Sequence, residues 1–329
     1  MGIHPVSSYG YLVRSYPVID VSAWKRGDRE PGGDEAKVWI EAPNDDRFTQ
    51  GSWLFKPPTT KMLKLSAQRQ ARGDSPDEYR RGEDWAEKIA FELAISLGLP
   101  AASTDLAHFK RPDGKQVEGS MSFDMRPPRW ILVGGGVLLG EIDPLYQPQT
   151  CVGHNLDNIE RVLSNIPGPP DTEFEEWEAF DVFAGYLVLD AWIANRDRHE
   201  HNWALLQSPE GAVHLSPTFD HGSALGSGAD DKARARALAG GVRRWCERGT
   251  AWRFEQGREL TLVELATGAL RRASPTARNH WIDSLAAIEI ERCQTVVGRT
   301  PRMSDLARTF AIEVLTTNQE RMCDDSLRA

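Results

Sequence analysis

An uninterrupted polar octet, Asn195-Arg196-Asp197-Arg198-His199-Glu200-His201-Asn202, sits between the apolar run that ends at Ile193 and the strand-like run Trp203-Ala204-Leu205-Leu206. Charged groups this close to a core must pair with one another or line a cleft, because an isolated buried charge is too costly. A second strand-like run, Ala212-Val213-His214-Leu215, follows, and then Ser216-Pro217-Thr218-Phe219-Asp220-His221-Gly222. Asp197 and Asn202 therefore stand before a β-hairpin and Asp220 stands after it. That order suits phosphoryl transfer from Mg-ATP. One carboxylate orients the attacking hydroxyl, and an amide oxygen and a second carboxylate hold the metal that bridges the phosphates.

The rest of the chain is expected to build an α+β fold of two lobes around that centre. Its 329 residues suffice for a full core. The first third reads as antiparallel strands, at Val18–Ser22, Lys37–Glu41 and Ser52–Lys56. A polar loop carrying Lys61, Lys64, Arg69, Arg72, Arg80 and Arg81, with Gly73-Asp74-Ser75-Pro76 inside it, reads as a mobile cover at a pocket mouth or a solvated face. Trp85, Ile89, Leu93 and Leu97 recur every four residues and predict a helix over 84–97, ended by Gly98 and Pro100. Strands at Thr104–His108 and Gly119–Phe123 flank an Asp113-Gly114 turn. Pro127-Pro128 then breaks the chain, so the lobes are expected at 1–128 and 129–329, with the boundary near Arg126 to Arg129.

Beyond the break the pattern is helical. Thr172 and Glu175 read as a capping box opening a helix that runs to about Asn195. Thr261 and Glu264 form a second such box, Ser274-Pro275 opens a long helix to about Thr295, and Ser304 to Asn318 is the last. Gly134-Gly135-Gly136 lacks a following Gly-Lys-Ser/Thr and reads as a tight turn rather than a phosphate loop.

The front third offers what the scheme requires. Lys56 ends an apolar strand, where its ammonium can reach the α- and β-phosphates, and Glu87 on the next helix can hold it by an ion pair. Glu83 and Glu92 compete for that role, and a lysine at a strand end is ordinarily a solvated edge residue.

Asp197-Arg198-His199-Glu200-His201-Asn202, followed by Leu215-Ser216-Pro217-Thr218-Phe219-Asp220, resembles the HipA-like kinases, in which a D-x-H-x-x-N motif precedes an S/T-P-x-Y/F-D motif. Glu87, eleven residues before Gly98-Leu99-Pro100, matches the helix glutamate of that family. The resemblance covers roughly residues 50 to 225. It implies a bilobal kinase fold, ATP and magnesium, and phosphorylation of a protein serine or threonine. On that match Asp197 is the catalytic carboxylate, Asn202 and Asp220 are metal ligands, Lys56 is the ATP lysine, and Phe123 and Asp124 lie at the hinge near adenine and ribose. The sequence departs from the family at Ala42–Phe48, a turn without glycine where the phosphate loop is expected. Strands leading to Lys56 begin almost at once, so the extra N-terminal domain of toxin-type members is not expected, and the sequence assigns neither a toxin role nor an antitoxin partner.

Other functions compete. His199, His201, His214 and His221 lie near Asp197 and Asp220, with Cys151 and His154 upstream, and invite a zinc reading; the Asp/Asn set suits the harder magnesium better. The missing glycine loop favours a non-catalytic pseudokinase scaffold. The same catalytic set also serves antibiotic or lipid phosphotransferases, for which the acidic run from Asp171 to Asp181 is a candidate cation-binding wall or a solvated helix start. A formal charge of −9 disfavours nucleic acid as the main partner. No apolar run is long enough to span a membrane, and Met1–Pro5 has neither the basic nor the apolar part of a secretory leader. The four cysteines are scattered without a C-x-x-C, as in a cytoplasmic protein.

Overall fold

The structure, a computed structural model, describes residues 14–29, 37–45, 49–62, 68, 72, 75 and 78–324. The expectations made for Met1–Pro5, for Asp46–Phe48 of the glycine-free turn, and for Lys64, Arg69, Gly73, Asp74 and Pro76 of the basic loop lie outside the described residues.

A six-stranded sheet forms the front, in the order β1-β7-β8-β4-β3-β2. Its strands are β1 (Val18–Asp20), β2 (Lys25–Arg29), β3 (Val38–Glu41), β4 (Ser52–Lys56), β7 (Thr104–Lys110) and β8 (Gln116–Phe123). The hairpin of β5 (Thr60–Met62) and β6 (Glu78–Arg80) stands apart. Alternation decides which side faces in: Trp53 and Phe55 of β4 are buried beside Met121 and Ala107, and the residues between them are half-buried. The sheet is antiparallel except where β1 runs parallel to β7. No tight turn links those two strands, so nothing imposes the antiparallel sense expected for β1. At the end of β4, Lys56 lies opposite Ser120. A Cβ on neighbouring Gly119 would come 2.3 Å from the Lys56 carbonyl oxygen, so glycine is what allows β8 to close on β4 there.

Helix α1 (Glu83–Ser96) carries its apolar row as the periodicity predicts, with Trp85, Ile89, Leu93 and Leu97 all buried. Gly98 ends it at φ +76°, in the left-handed region that glycine enters without strain. The row joins the main helical core, while the helix also packs on β7 and β8.

From Asp124 the chain crosses to β9 (Ile131–Gly134), the edge of a second sheet in the order β11-β10-β9, with β10 (Ala204–Gln207) and β11 (Val213–Leu215) forming the expected hairpin. Around it lie α2 (Gly135–Ile142), α3 (Leu156–Leu163), α4 (Ala179–Trp192), α5 (Asp231–Gly240), α6 (Val242–Glu247), α7 (Leu262–Arg272), α8 (Pro275–Ala286), α9 (Ile290–Arg299) and α10 (Asp305–Met322). Helix α4 is the axis of this part: from Ala179 to Trp192 all but Asp181 are buried. The capping box of Thr261 and Glu264 opens α7, and Ser274 with Pro275 opens α8, both as expected.

Three local expectations fail. Thr172 and Glu175 do not open a helix: Thr172 donates to the Pro169 carbonyl and Glu175 accepts from the Asp171 amide, closing a turn before α4. The helix expected over 275–295 is two, α8 and α9, interrupted at Ala287–Glu289. The three glycines form a strand-to-helix junction, because Gly135 lies against Trp203, whose ring would be 2.2 Å from a Cβ. Among the described residues no helix is long and apolar enough to cross a membrane.

Candidate active site

The polar octet is organised by Arg198, which is 2% exposed. After α4 the chain turns through Ala194 at φ +53°, and Asp190 of α4 stays behind as a buried carboxylate. Arg198 clasps it with two hydrogen bonds of 2.7 and 2.9 Å, and Asn195 adds a third at 2.8 Å. The same guanidinium donates to the carbonyls of Asn202 (2.6 Å) and Phe219 (3.3 Å) and to Thr218 Oγ1 (2.9 Å). One buried cation thus fixes the loop before the hairpin and the loop after it. His221 lies against it at 3.2 Å; burial, followed by the Arg198 charge, holds the imidazole well below its ordinary pKa and therefore neutral.

The lysine strand and the glutamate helix meet this framework. Lys56 Nζ lies 3.3 Å from Glu87 Oε1 and 3.3 Å from Asp220 Oδ2, and Lys37 reaches the same Asp220 oxygen at 3.4 Å. Glu87 uses its other oxygen to accept the His221 amide at 2.9 Å. Of the competing glutamates, Glu83 accepts from Thr59 and pairs with Arg81, and Glu92 pairs with Lys88 at 2.8 Å. Asp220 sits at φ +60°, a conformation aspartate tolerates better than most residues. Burial disfavours the Asp220 charge, but Lys56 and Lys37 outweigh it and hold the carboxyl far below the usual range. Burial also disfavours the Lys56 charge, and Asp220 and Glu87 reverse that and push its pKa up. For Glu87 burial prevails over Lys56, and its pKa is raised.

Asp197 lines the same cleft. Its Oδ1 accepts from Arg253 Nε at 2.6 Å and its Oδ2 from Ser223 Oγ at 3.3 Å. Asn202 donates its amide to the Asp197 carbonyl at 2.7 Å, which leaves its Oδ1 as the group offered to the cleft. Lys37, Lys56, Glu87, Asp197, Asn202 and Asp220 line one cleft of about 220 Å³. His199 lines it too; its Nδ1 accepts from the His201 amide, so the proton of the neutral ring is on Nε2, and burial lowers its pKa.

Lys56 also lines a neighbouring slot of about 140 Å³ with Trp39, Leu54, Leu132 and Phe219. Phe123 and Asp124 border it. The Phe123 ring packs edge-on against Trp53 at 5.2 Å, and Asp124 is held by Arg126 at 2.6 and 2.8 Å. All seven residues singled out by the sequence thus lie on two adjoining cavities. Sequence reasoning missed Arg198, Lys37, Ser223 and Arg253, and of these only Arg198 lies within the motif.

The other candidate clusters disperse. Among the described residues no three His, Cys, Asp or Glu side chains gather as a metal-holding group. His214 contacts the Gly168 carbonyl, His201 is exposed, and His154 is buried between Trp203 and the Arg253 carbonyl. The acidic run does not line the cleft: Asp181 binds the amide and hydroxyl of Ser274 at the start of α8.

The family model for the HipA-like C-terminal domain matches residues 30–290. The chain belongs to that family. Among solved structures, this HipA-like chain is similar to the Helicobacter pylori proinflammatory kinase CtkA, with a TM-score of 0.65 and 19% identity over 93% of this chain and 94% of that one. Shewanella oneidensis HipA, solved with HipB and its operator DNA, matches with a TM-score of 0.39 and 14% identity over 95% of this chain and 70% of that one. The Leishmania major MAP kinase LmaMPK10 matches with a TM-score of 0.27 and 10% identity over 93% of this chain and 82% of that one. A search of curated protein sequences finds no match. The CtkA likeness establishes the kinase-like α+β fold expected from the sequence, and family and fold together support a kinase.

Proposed function

We propose that this HipA-like chain transfers the γ-phosphoryl group of ATP, with magnesium, to the hydroxyl of a protein serine or threonine. The observation that carries the reading is Lys56 held 3.3 Å from both Glu87 and Asp220, in one cleft with Asp197 and Asn202. Lys56 and Lys37 would turn from Asp220 to the triphosphate. The apolar slot walled by Trp39, Leu54 and Phe219, with Phe123 and Asp124 at its border, would take adenine and ribose.

The donor set fits magnesium: Asn202 would offer an amide oxygen and Asp220 an ionised carboxylate, both hard ligands. Held by those two residues, a magnesium ion would supply positive charge against the charge that develops on the phosphates. Glu87 keeps Lys56 in place and, through the His221 amide, keeps the Asp220 loop in register with it. Asp197 orients the attacking hydroxyl and receives its proton. The protein substrate, the 128/129 lobe boundary and a cytoplasmic location belong to the same proposal.

The test is a Mg-ATP binding isotherm beside a phosphotransfer assay on wild type, Asp197→Asn and Asp220→Asn. Asp197→Asn is expected to lose about 10²- to 10⁴-fold in turnover with ATP affinity nearly intact. Asp220→Asn, which keeps the left-handed backbone and removes only the charge, is expected to lose the magnesium-dependent part of the affinity as well. Full turnover in Asp197→Asn, or wild-type affinity indifferent to magnesium, would overturn the mechanism.

A further inference from the structure

The Asp197 carboxylate is not left to the cleft alone. Arg253 reaches it from the segment between α6 and α7, more than fifty residues downstream, and donates from Nε at 2.6 Å. The approach is built. Ala251 and Leu262 join the far side of the segment, through the Leu260 and Gly249 carbonyls, in a two-stranded clasp. Buried Phe254 anchors it, and the Arg253 carbonyl binds buried His154 at 2.7 Å. The guanidinium carbon lies over the Trp252 ring, 3.8 Å from its centroid, a cation–π contact that holds the group at this position. Only Nε is spent on Asp197, and both Arg253 and Asp197 remain about a third exposed. The two terminal nitrogens have no hydrogen-bond acceptor among the described residues.

A cation on a carboxylate is a poor way to make a strong base. It is a good way to let a carboxylate stand beside a polyphosphate, since otherwise two anions would face each other across the attacking hydroxyl. Phosphoryl transfer asks little of a base and much of charge placed on the equatorial oxygens. We propose that Arg253 is a catalytic residue of the phosphoryl-transfer site proposed above: Nε orients Asp197, and the terminal nitrogens bind the phosphoryl group in flight. The acceptor oxygen forms its bond to phosphorus as the bond to the ADP oxygen breaks, and the acceptor proton passes to Asp197. Arg253 supplies charge and takes no proton.

The experiment uses the full chain as wild type, Arg253→Ala and Arg253→Lys, with Asp197→Asn as control. Mg-ATP affinity, phosphotransfer turnover, thermal midpoint, and turnover with added guanidinium chloride are measured on each. Arg253→Ala is expected to keep its midpoint and bind Mg-ATP within about threefold of wild type, yet lose about 10²- to 10³-fold in turnover, the scale of one preorganised donor. Arg253→Lys restores part of the loss, because a point charge replaces a fork. Low-millimolar guanidinium should restore at least about tenfold in Arg253→Ala and nothing in Asp197→Asn, a response that a purely structural arginine does not give. Turnover of Arg253→Ala within about threefold of wild type, a rise in turnover (an inhibitory latch), a parallel loss of ATP affinity, or the absence of guanidinium rescue would each overturn the assignment. If wild type itself neither binds Mg-ATP nor transfers phosphate, the kinase reading falls and this inference with it; if wild type is active and Arg253→Ala equally so, only the inference falls.

Discussion

Arg198→Met tests whether one buried guanidinium joins the two halves of the site. Arg198 and Asp190 are each 2% exposed, and the substitution leaves the Asp190 carboxylate buried without its cation. Breaking a buried pair from one side costs about 3–5 kcal/mol. The carbonyls of Asn202 and Phe219 and the Thr218 hydroxyl lose a donor as well, about 1–3 kcal/mol for groups that find no water. A domain stable by about 5–15 kcal/mol would lose a large part of that. The double variant Asp190→Asn/Arg198→Met removes the orphaned charge, so it should lie well short of the sum of the singles, by about 3 kcal/mol. Urea unfolding of wild type, both singles and the double closes the cycle, read from midpoints at unchanged slope. Additivity within about 0.5 kcal/mol would show that the two residues act independently and refute the clasp. The double variant should still bind Mg-ATP more weakly than wild type, because Asn202 and Asp220 lose their common tether.

Lys56→Met and Glu87→Ala should not add in turnover, since either change dissolves the same unit; additive losses measured in one phosphotransfer assay would deny the pair a role. His154 gives a pH dependence of known sign. Burial, its largest influence, lowers its pKa from 6.5 to about 4; the ring donates from Nδ1 to the Arg253 carbonyl and accepts from Trp203 on Nε2, leaving no place for a second proton. Between those values the unfolded chain takes up the proton that the folded chain refuses, so stability falls as pH drops from 6.5 towards 4, by about 2 kcal/mol at pH 5. His154→Gln should flatten that part of the stability curve in acid unfolding measurements; an unchanged slope would assign the effect elsewhere.

What could be read in the sequence follows from range. The row of α1 is legible because four-residue spacing has one geometric meaning, and Lys56, Glu87, Asp197, Asn202 and Asp220 were found together because their order along the chain mirrors a chemistry. Arg198 lies inside the motif, yet between Arg196 and Asp197 on one side and His199 on the other, nothing local distinguishes a solvated charge from one turned inward onto Asp190. Arg253 carried no local signal, since it meets Asp197 through the path of the chain between α6 and α7. Thr172 and Glu175 misled for another reason. The hydroxyl and carboxylate that start a helix also close a turn, and the bonds inside 169–175 decide between them.

Helix α1 belongs to two structures at once. It carries the glutamate that holds Lys56, it packs on β7 and β8, and its row of Trp85, Ile89, Leu93 and Leu97 is part of the large helical core. The loop behind it is stitched to the loop that carries Asp220, Thr218 donating to the Pro100 carbonyl and Ala102 to that of Thr218. A helix anchored on both fronts cannot carry its glutamate away from Lys56 without opening the core. It also follows that exchanging the front sheet between relatives requires α1 to stay with the helices behind it. A chimera joined at Pro128 and Arg129 would set a foreign helix into this core and separate Lys56 from the partner that fits it.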